Sequence, residues 1–173
     1  MPISIPHTCQ KHALRPDGTT WYSDFPEPIS TPTNISAQEI YELLEACQGP
    51  DQEKPLLKTQ GILLIDTRRT DCTGGMVKGA INVPAHGFYF SRRGLFELCV
   101  AGEVKRVIFY CGSSNGRGPR CAAWMQDYID SLGGDIKSEV MVGGIRGWVK
   151  AYGGRMMEGY DEKIWAAGRP DET

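Results

Sequence analysis

Val107-Ile108-Phe109-Tyr110-Cys111-Gly112-Ser113-Ser114-Asn115-Gly116-Arg117-Gly118-Pro119 runs from an apolar stretch into a cysteine, a small-residue loop, an arginine and Gly-Pro. The apolar stretch is short and rich in β-branched and aromatic side chains, the pattern of a strand buried on both faces. Cys111 stands where that strand ends, and ligands of α/β sheets bind at the carboxyl ends of strands. Gly112, Gly116 and Gly118, with Asn115, tolerate unusual backbone angles, and the successive N–H groups of Gly112, Ser113, Ser114, Asn115, Gly116 and Arg117 can turn inward as an anion-binding nest. Pro119 fits the first position of a helix whose positive end faces the same point. Arg117 adds a planar fork suited to two oxygens of a tetrahedral anion. These groups together favour thiolate over thiol at Cys111, and Ser114 is placed to donate a hydrogen bond to the sulfur. The stretch therefore reads as a nucleophile at the floor of an oxyanion cradle. Its competing reading is a buried structural cysteine before a turn.

Working outward, Gly61-Ile62-Leu63-Leu64-Ile65-Asp66 is a second continuous apolar run ending in a carboxylate. Residues 80–83, 104–110 and 136–142 read as further strands. Met125, Tyr128, Ile129 and Leu132 mark a helix from Pro119 to Ser131, closed by Gly133-Gly134. Ser36-Ala37-Gln38-Glu39 matches a capping box, followed by Ile40, Leu43, Leu44 and Cys47 at helical spacing until Gly49-Pro50. Strands alternating with helices predict an α/β fold with a central, mostly parallel β-sheet flanked by helices. Six of the eleven prolines fall within the first 32 residues. Residues 1–33 accordingly read as a proline-rich arm anchored by Trp21, Tyr22 and Phe25, with 34–155 as the domain proper and 156–173 as a tail.

At 173 residues and 40% hydrophobic content the chain suits one domain with a real core. A net charge of −2 gives no reason to expect nucleic acid or an anionic membrane as partner. Any preference for anions must be local, and Lys105, Arg106, Arg117 and Arg120 are near Cys111 in sequence. No apolar run approaches membrane-spanning length and the N-terminus lacks a signal-peptide pattern, so the expected location is cytoplasmic, with the nucleus also open. The six cysteines, with no CxxC spacing and only three histidines, read as reduced thiols rather than disulfides or a zinc site.

With these residues in view, the chain resembles the rhodanese superfamily, in the branch of the cell-cycle dual-specificity phosphatases and eukaryotic arsenate reductases. Leu64-Ile65-Asp66-Thr67-Arg68 is similar to the family's strand ending in Asp-x-Arg. Gly74-Gly75-Met76-Val77-Lys78-Gly79-Ala80-Ile81-Asn82-Val83-Pro84 and Val142-Gly143-Gly144-Ile145-Arg146-Gly147-Trp148 resemble two more of its segments. The resemblance implies a three-layer rhodanese-like fold, with Cys111 as nucleophile, Arg117 as oxyanion clamp and the amides of 112–117 as cradle. A loop closed by arginine at the sixth position implies phosphate or arsenate; sulfur-transferring relatives have a shorter one.

Three departures bear on the chemistry. Tyr110 stands where relatives often have histidine, Thr67 where the phosphatases have a protecting cysteine, and residues 112–116 contain no acid. A phosphatase must protonate its leaving oxygen, so the acid-free loop leans toward arsenate. The implied function is a cysteine-thiolate phosphatase or a glutathione-linked arsenate reductase, with no bound cofactor, glutathione as external reductant and glutaredoxin as partner. Its substrate is a phosphate or arsenate oxyanion, including one carried on a phosphoprotein. A sulfurtransferase and a non-catalytic interaction module are the alternatives. Cys72 is a candidate protecting or redox partner thiol. Cys121 reads as core, and Cys9, Cys47 and Cys99 as incidental. Asp66 reads as a partner for Arg68, His86 as a surface residue, Arg146 as bordering the pocket or pairing on the surface, and Trp124 and Trp148 as packing.

Overall fold

The computed structural model describes residues 15–48 and 55–167. Cys9 and the Gly49-Pro50 helix stop lie outside them. In chain order the elements are β1 (Thr33–Ile35), α1 (Ala37–Ala46), α2 (Leu56–Gln60), β2 (Ile62–Asp66), β3 (Met76–Val77), β4 (Ile81–Asn82) and α3 (Ala85–Ala101). Then follow β5 (Arg106–Tyr110), α4 (Arg117–Ser131), β6 (Lys137–Met141), α5 (Gly144–Tyr152), β7 (Met157–Glu158) and α6 (Glu162–Ala166). Five strands form a sheet in the order β1-β6-β5-β2-β4, every neighbouring pair parallel. The expected α/β architecture is present, with β5 at its centre.

Val107, Ile108, Phe109 and Tyr110 of β5 are all fully buried, because the strand is covered on both faces. One face packs with α3 and α4 through Phe88, Leu95, Trp124, Met125 and Ile129. The other packs with α1 and α5 through Ile40, Leu44, Ile145 and Trp148. Ser36 caps α1, its Oγ accepting from the Glu39 N–H at 3.1 Å. The register pairs Asp66 with Tyr110, so the loops after β2 and β5 leave the same edge of the sheet side by side.

Several elements differ from the expectation. The longest described helix, α3, has no counterpart in the sequence reading, and most of the Val142–Trp148 segment lies in the helix α5. The stretch read as an arm reaches the sheet at Thr33 of β1, while its expected anchor Trp21 does pack, against α4. Trp21 is buried, edge-on to Trp124 at 5.9 Å, and the Trp124 Nε1–H donates to the Pro26 carbonyl at 2.8 Å. Of the residues read as a tail, β7 pairs antiparallel with β3, and the Trp165 Nε1–H donates to the Gly74 carbonyl at 2.7 Å.

Candidate active site

Cys111 follows directly on β5 and is only 3% exposed, at the base of the loop leading to α4. The helix begins at Arg117, two residues before the Pro119 start expected from sequence, and its first turn closes with the Arg120 N–H on the Gly116 carbonyl at 3.1 Å. Pro119 is thereby third in the helix, where a missing N–H still costs no intrahelical bond. Gly118 sits tight beneath the strand end: a Cβ there would lie 3.3 Å from the Cys111 nitrogen. The positive end of α4 is thus seated against the cysteine.

The carbonyls of Cys111 and Gly112 point away from the cradle. They accept from the Ile145 and Arg146 N–H groups at the start of α5, each at 3.0 Å. Ser114 adopts a left-handed backbone, φ 55°, and its Oγ accepts the Cys111 N–H at 3.4 Å. Its hydrogen bond is to the main chain of Cys111, not the sulfur contact anticipated for it. Among the described residues, no hydrogen bond uses the backbone N–H of Gly112, Ser113, Ser114, Asn115 or Gly116. Five consecutive donors are left to a ligand, which is what an anion nest requires.

The neighbouring loop, after β2, is held by a buried ion pair. Arg68 and Asp66 have no exposed side-chain surface, and their closest approach is 2.6 Å. The rest of the Arg68 fork donates to the carbonyls of Asp71, Thr73 and Gly75 at 3.3, 3.4 and 2.7 Å. Asp66 therefore has the structural role expected of it. Thr67 donates both its N–H and its Oγ1–H to the Tyr110 carbonyl at 2.8 and 2.9 Å, locking the two loops together where they leave the sheet.

This loop delivers a residue the sequence reading missed. Asp71 takes Arg117 bidentately, Oδ1 on Nη1 at 2.7 Å and Oδ2 on Nη2 at 2.5 Å. Burial opposes ionisation of Asp71, but the hydrogen bonds and charge of Arg117 outweigh it and hold the carboxyl well below the usual range. Desolvation works against the charge on Arg117 as well; the Asp71 bonds and the nearness of Cys111 reverse this and raise it further. No spacing in the sequence announces that pair. The only available signal was an acid in a loop leaving the same sheet edge.

The Cys72 thiol donates to Asp66 at 3.7 Å and is pushed up to about 11, by burial first and then by the Asp66 charge. Cys121 is fully buried in α4 and raised by burial, with a smaller contribution from Cys111. Cys99 is buried in α3 and pushed up to about 11 by that burial. Cys47 faces the Thr59 hydroxyl at 2.9 Å. The Tyr110 hydroxyl accepts the Val77 N–H at 3.1 Å, and burial keeps the phenol protonated. His86 is half-buried rather than on the surface, 4.8 Å from the Trp21 ring. Its proton affinity is lowered by burial, then by the charges of Arg69 and Arg117. A Cβ on Gly112 would lie 3.9 Å from both Arg117 Nη2 and Arg146 Nε, so Arg146 borders the loop.

Three expected contributors are elsewhere. Lys105 and Arg106 lie at the opposite end of β5, roughly 16–20 Å from Cys111 at the rise of a parallel strand, and Arg106 pairs with Glu139 at 2.5 Å. Arg120 turns outward to Glu27 at 2.8 Å and lies over the Tyr22 ring. Closeness in sequence does not survive an extended strand. The local positive charge comes from Arg117, Arg146 and the helix ends. Among the described residues, no cluster of His, Cys, Asp and Glu could hold a metal ion. Among them, too, no helix is long and apolar enough to cross a membrane.

The rhodanese-like domain matches residues 49–151, more than half of the chain. The chain belongs to the rhodanese family. This rhodanese-like protein is 27% identical over 107 residues to arsenical-resistance protein 2 of Saccharomyces cerevisiae, covering 56% of this chain and 82% of that one. Its fold is shared with Ygr203w, described as a yeast protein tyrosine phosphatase of the rhodanese family. That likeness has a TM-score of 0.62 at 21% identity over 79% of this chain and 99% of the other. It also resembles the As-Sb reductase of Leishmania major, TM-score 0.55 at 25% identity over 73% and 84% of the two chains.

Proposed function

We propose that this rhodanese-like protein is an arsenate reductase that uses Cys111 as nucleophile and an external thiol as reductant. The observation that carries the reading is the cradle: a cysteine at the floor, five uncommitted backbone N–H donors around it, and a guanidinium at the rim. The likeness to arsenical-resistance protein 2 and to the As-Sb reductase supports arsenic as the central atom.

The chemistry follows from the parts. Arsenate enters the nest, and Arg117 with the loop amides takes up its negative charge. The Cys111 sulfur attacks arsenic, an arsenate oxygen leaves as water, and a thiol–arsenate adduct forms. A thiol such as glutathione then attacks the Cys111 sulfur. The S–As bond breaks with its electron pair going to arsenic, arsenite departs, and Cys111 is left in a mixed disulfide. A second thiol, supplied by glutaredoxin or another glutathione, releases it. Two thiols are oxidised to one disulfide while arsenic gains two electrons.

A phosphatase reading stands beside this because the same nest fits any tetrahedral oxyanion, phosphate esters included. There the Cys111 sulfur attacks phosphorus, the alcohol departs, and water hydrolyses the phosphocysteine. A parallel assay decides between the readings: wild type and Cys111→Ser on arsenate with glutathione and glutaredoxin, on an aryl phosphate, and on thiosulfate with cyanide. Arsenite formation lost in Cys111→Ser supports the reductase. Transfer only from thiosulfate would make the protein a sulfurtransferase, and activity surviving the substitution in every assay would sink the mechanism.

A further inference from the structure

Arg117 is oriented by a group that no residue of its own loop supplies. A guanidinium carries five N–H donors in a rigid plane. Asp71 occupies the end-on pair, one N–H each of Nη1 and Nη2, with both carboxylate oxygens. The side-on edge, Nε–H and the second N–H of Nη2, is left for another acceptor. That edge borders the cradle, since Nη2 lies 3.9 Å from where a Cβ on Gly112 would stand.

Asp71 is itself anchored. Its Oδ1 accepts the Arg69 N–H at 2.9 Å, and its carbonyl accepts from Arg68 at 3.3 Å. Arg68 in turn is locked on Asp66 in the core, with no exposed side-chain surface on either partner. A continuous series of bonds thus runs from the end of β2, through Asp66, Arg68 and Asp71, to the arginine of the next loop. Each link is a charged group held by two or more bonds, so Arg117 cannot swing without breaking one of them.

The geometry points to Asp71 as the positioning residue of this site: it presents the side-on edge of Arg117 to the oxyanion. It is not the proton donor missing from the loop, because both of its oxygens accept from Arg117 and a proton on either would break one bond. The inference rests on the oxyanion reading of the cradle. Loss of a group that orients a metal-ligating side chain weakens function by roughly 10–100-fold, and a loss of the same order is expected where the oriented group is a guanidinium.

The test compares wild type, Asp71→Asn and Asp71→Glu in the full chain, by kinetics and by nitrogen NMR of the Arg117 side chain. Arg117→Lys supplies the assignment. Wild type should show resolved Nη resonances, the mark of hindered guanidinium rotation, and its Nε–H should shift when inorganic arsenate or phosphate is added. Asp71→Asn should average the Nη signals and lower kcat roughly 10–100-fold, by one factor for aryl phosphates of good and poor leaving groups. Asp71→Glu should recover much of both. Activity of Asp71→Asn within about twofold of wild type would overturn the role. So would a loss that grows with leaving-group basicity, which marks a proton donor, or averaged Nη signals in wild type. A wild type that neither turns over arsenate or aryl phosphate nor shifts with added anion overturns the oxyanion reading instead, and the Asp71 role falls with it.

Discussion

Gly144 opens α5 directly against the carbonyl of Cys111. A Cβ there would approach the Gly112 carbonyl oxygen to 2.6 Å and overlap that of Cys111. Its φ of 58° is left-handed as well. The close approach lets Ile145 and Arg146 take the two carbonyls, which leaves the loop's N–H groups for a ligand.

Gly144→Ala is therefore expected to cost far more than its backbone angle alone. Gly133, which follows α4 at φ 64°, has nothing within 4 Å of a Cβ, and it isolates that backbone term. Gly133→Ala should cost about 1–2 kcal/mol. Gly144→Ala adds overpacking against backbone that cannot move aside, about 1–3 kcal/mol more, and should displace the cradle. Urea unfolding of both variants checks the difference. Equal losses would mean that the loop accommodates the methyl group.

The cradle was legible because its residues are contiguous: strand, cysteine, loop and helix start all lie within residues 107–119. What joins it to its surroundings was not. Asp71 and Arg117 are 46 residues apart and meet only because β2 and β5 are neighbours in register. Lys105 and Arg106 misled for the opposite reason, being close along a strand that carries them away. The helix α3 was hidden because exposed Phe90 and Leu98, at 77% and 71%, blur the buried stripe of Phe88, Leu95 and Cys99. Gly87 and Gly94 lower its helical propensity further.

Cys72 should not act as a resolving thiol. The thiolate is the reactive form, and a thiol pushed up to about 11 is ionised in only about one molecule in a thousand at pH 8. Iodoacetamide at pH 8 should label Cys72 slowly, with a rate rising about tenfold per pH unit until near 11. Cys72→Ser should leave arsenate turnover within about twofold of wild type. A Cys72–Cys111 disulfide as the main product of peroxide treatment, seen by mass spectrometry, would contradict this.

The Asp71–Arg117 pair should give stability a specific pH dependence. The folded carboxyl is held below its ordinary value of 3.8, so the unfolded chain binds the proton more readily. The stabilisation is then fully present above about pH 4 and is lost as pH falls from there toward the folded value. Asp71→Asn should be less stable than wild type at pH 7, by less than the roughly 3–5 kcal/mol lost when a fully buried pair is broken, because the two side chains are 25% and 19% exposed. That gap should narrow as the solution is acidified below about pH 4. Denaturant midpoints of the two proteins between pH 7 and pH 3 give the comparison, and a gap that stays constant would exclude the pair as its source.

Trp21 packs the N-terminal segment against His86, their rings 4.8 Å apart. Removing a buried indole costs about 3–5 kcal/mol, and Trp21→Ala should show that loss in its urea midpoint. A second consequence is local. His86 is held below its ordinary 6.5 chiefly by burial, with the charges of Arg69 and Arg117 adding to it. Exposing the imidazole removes the first cause and leaves the other two. The His86 titration, followed by NMR of its ring protons, should therefore move up in Trp21→Ala without reaching 6.5. Combining Trp21→Ala with Arg69→Gln should carry it closer still. A titration unchanged by Trp21→Ala in a folded protein would mean that the arm does not cover His86 in solution.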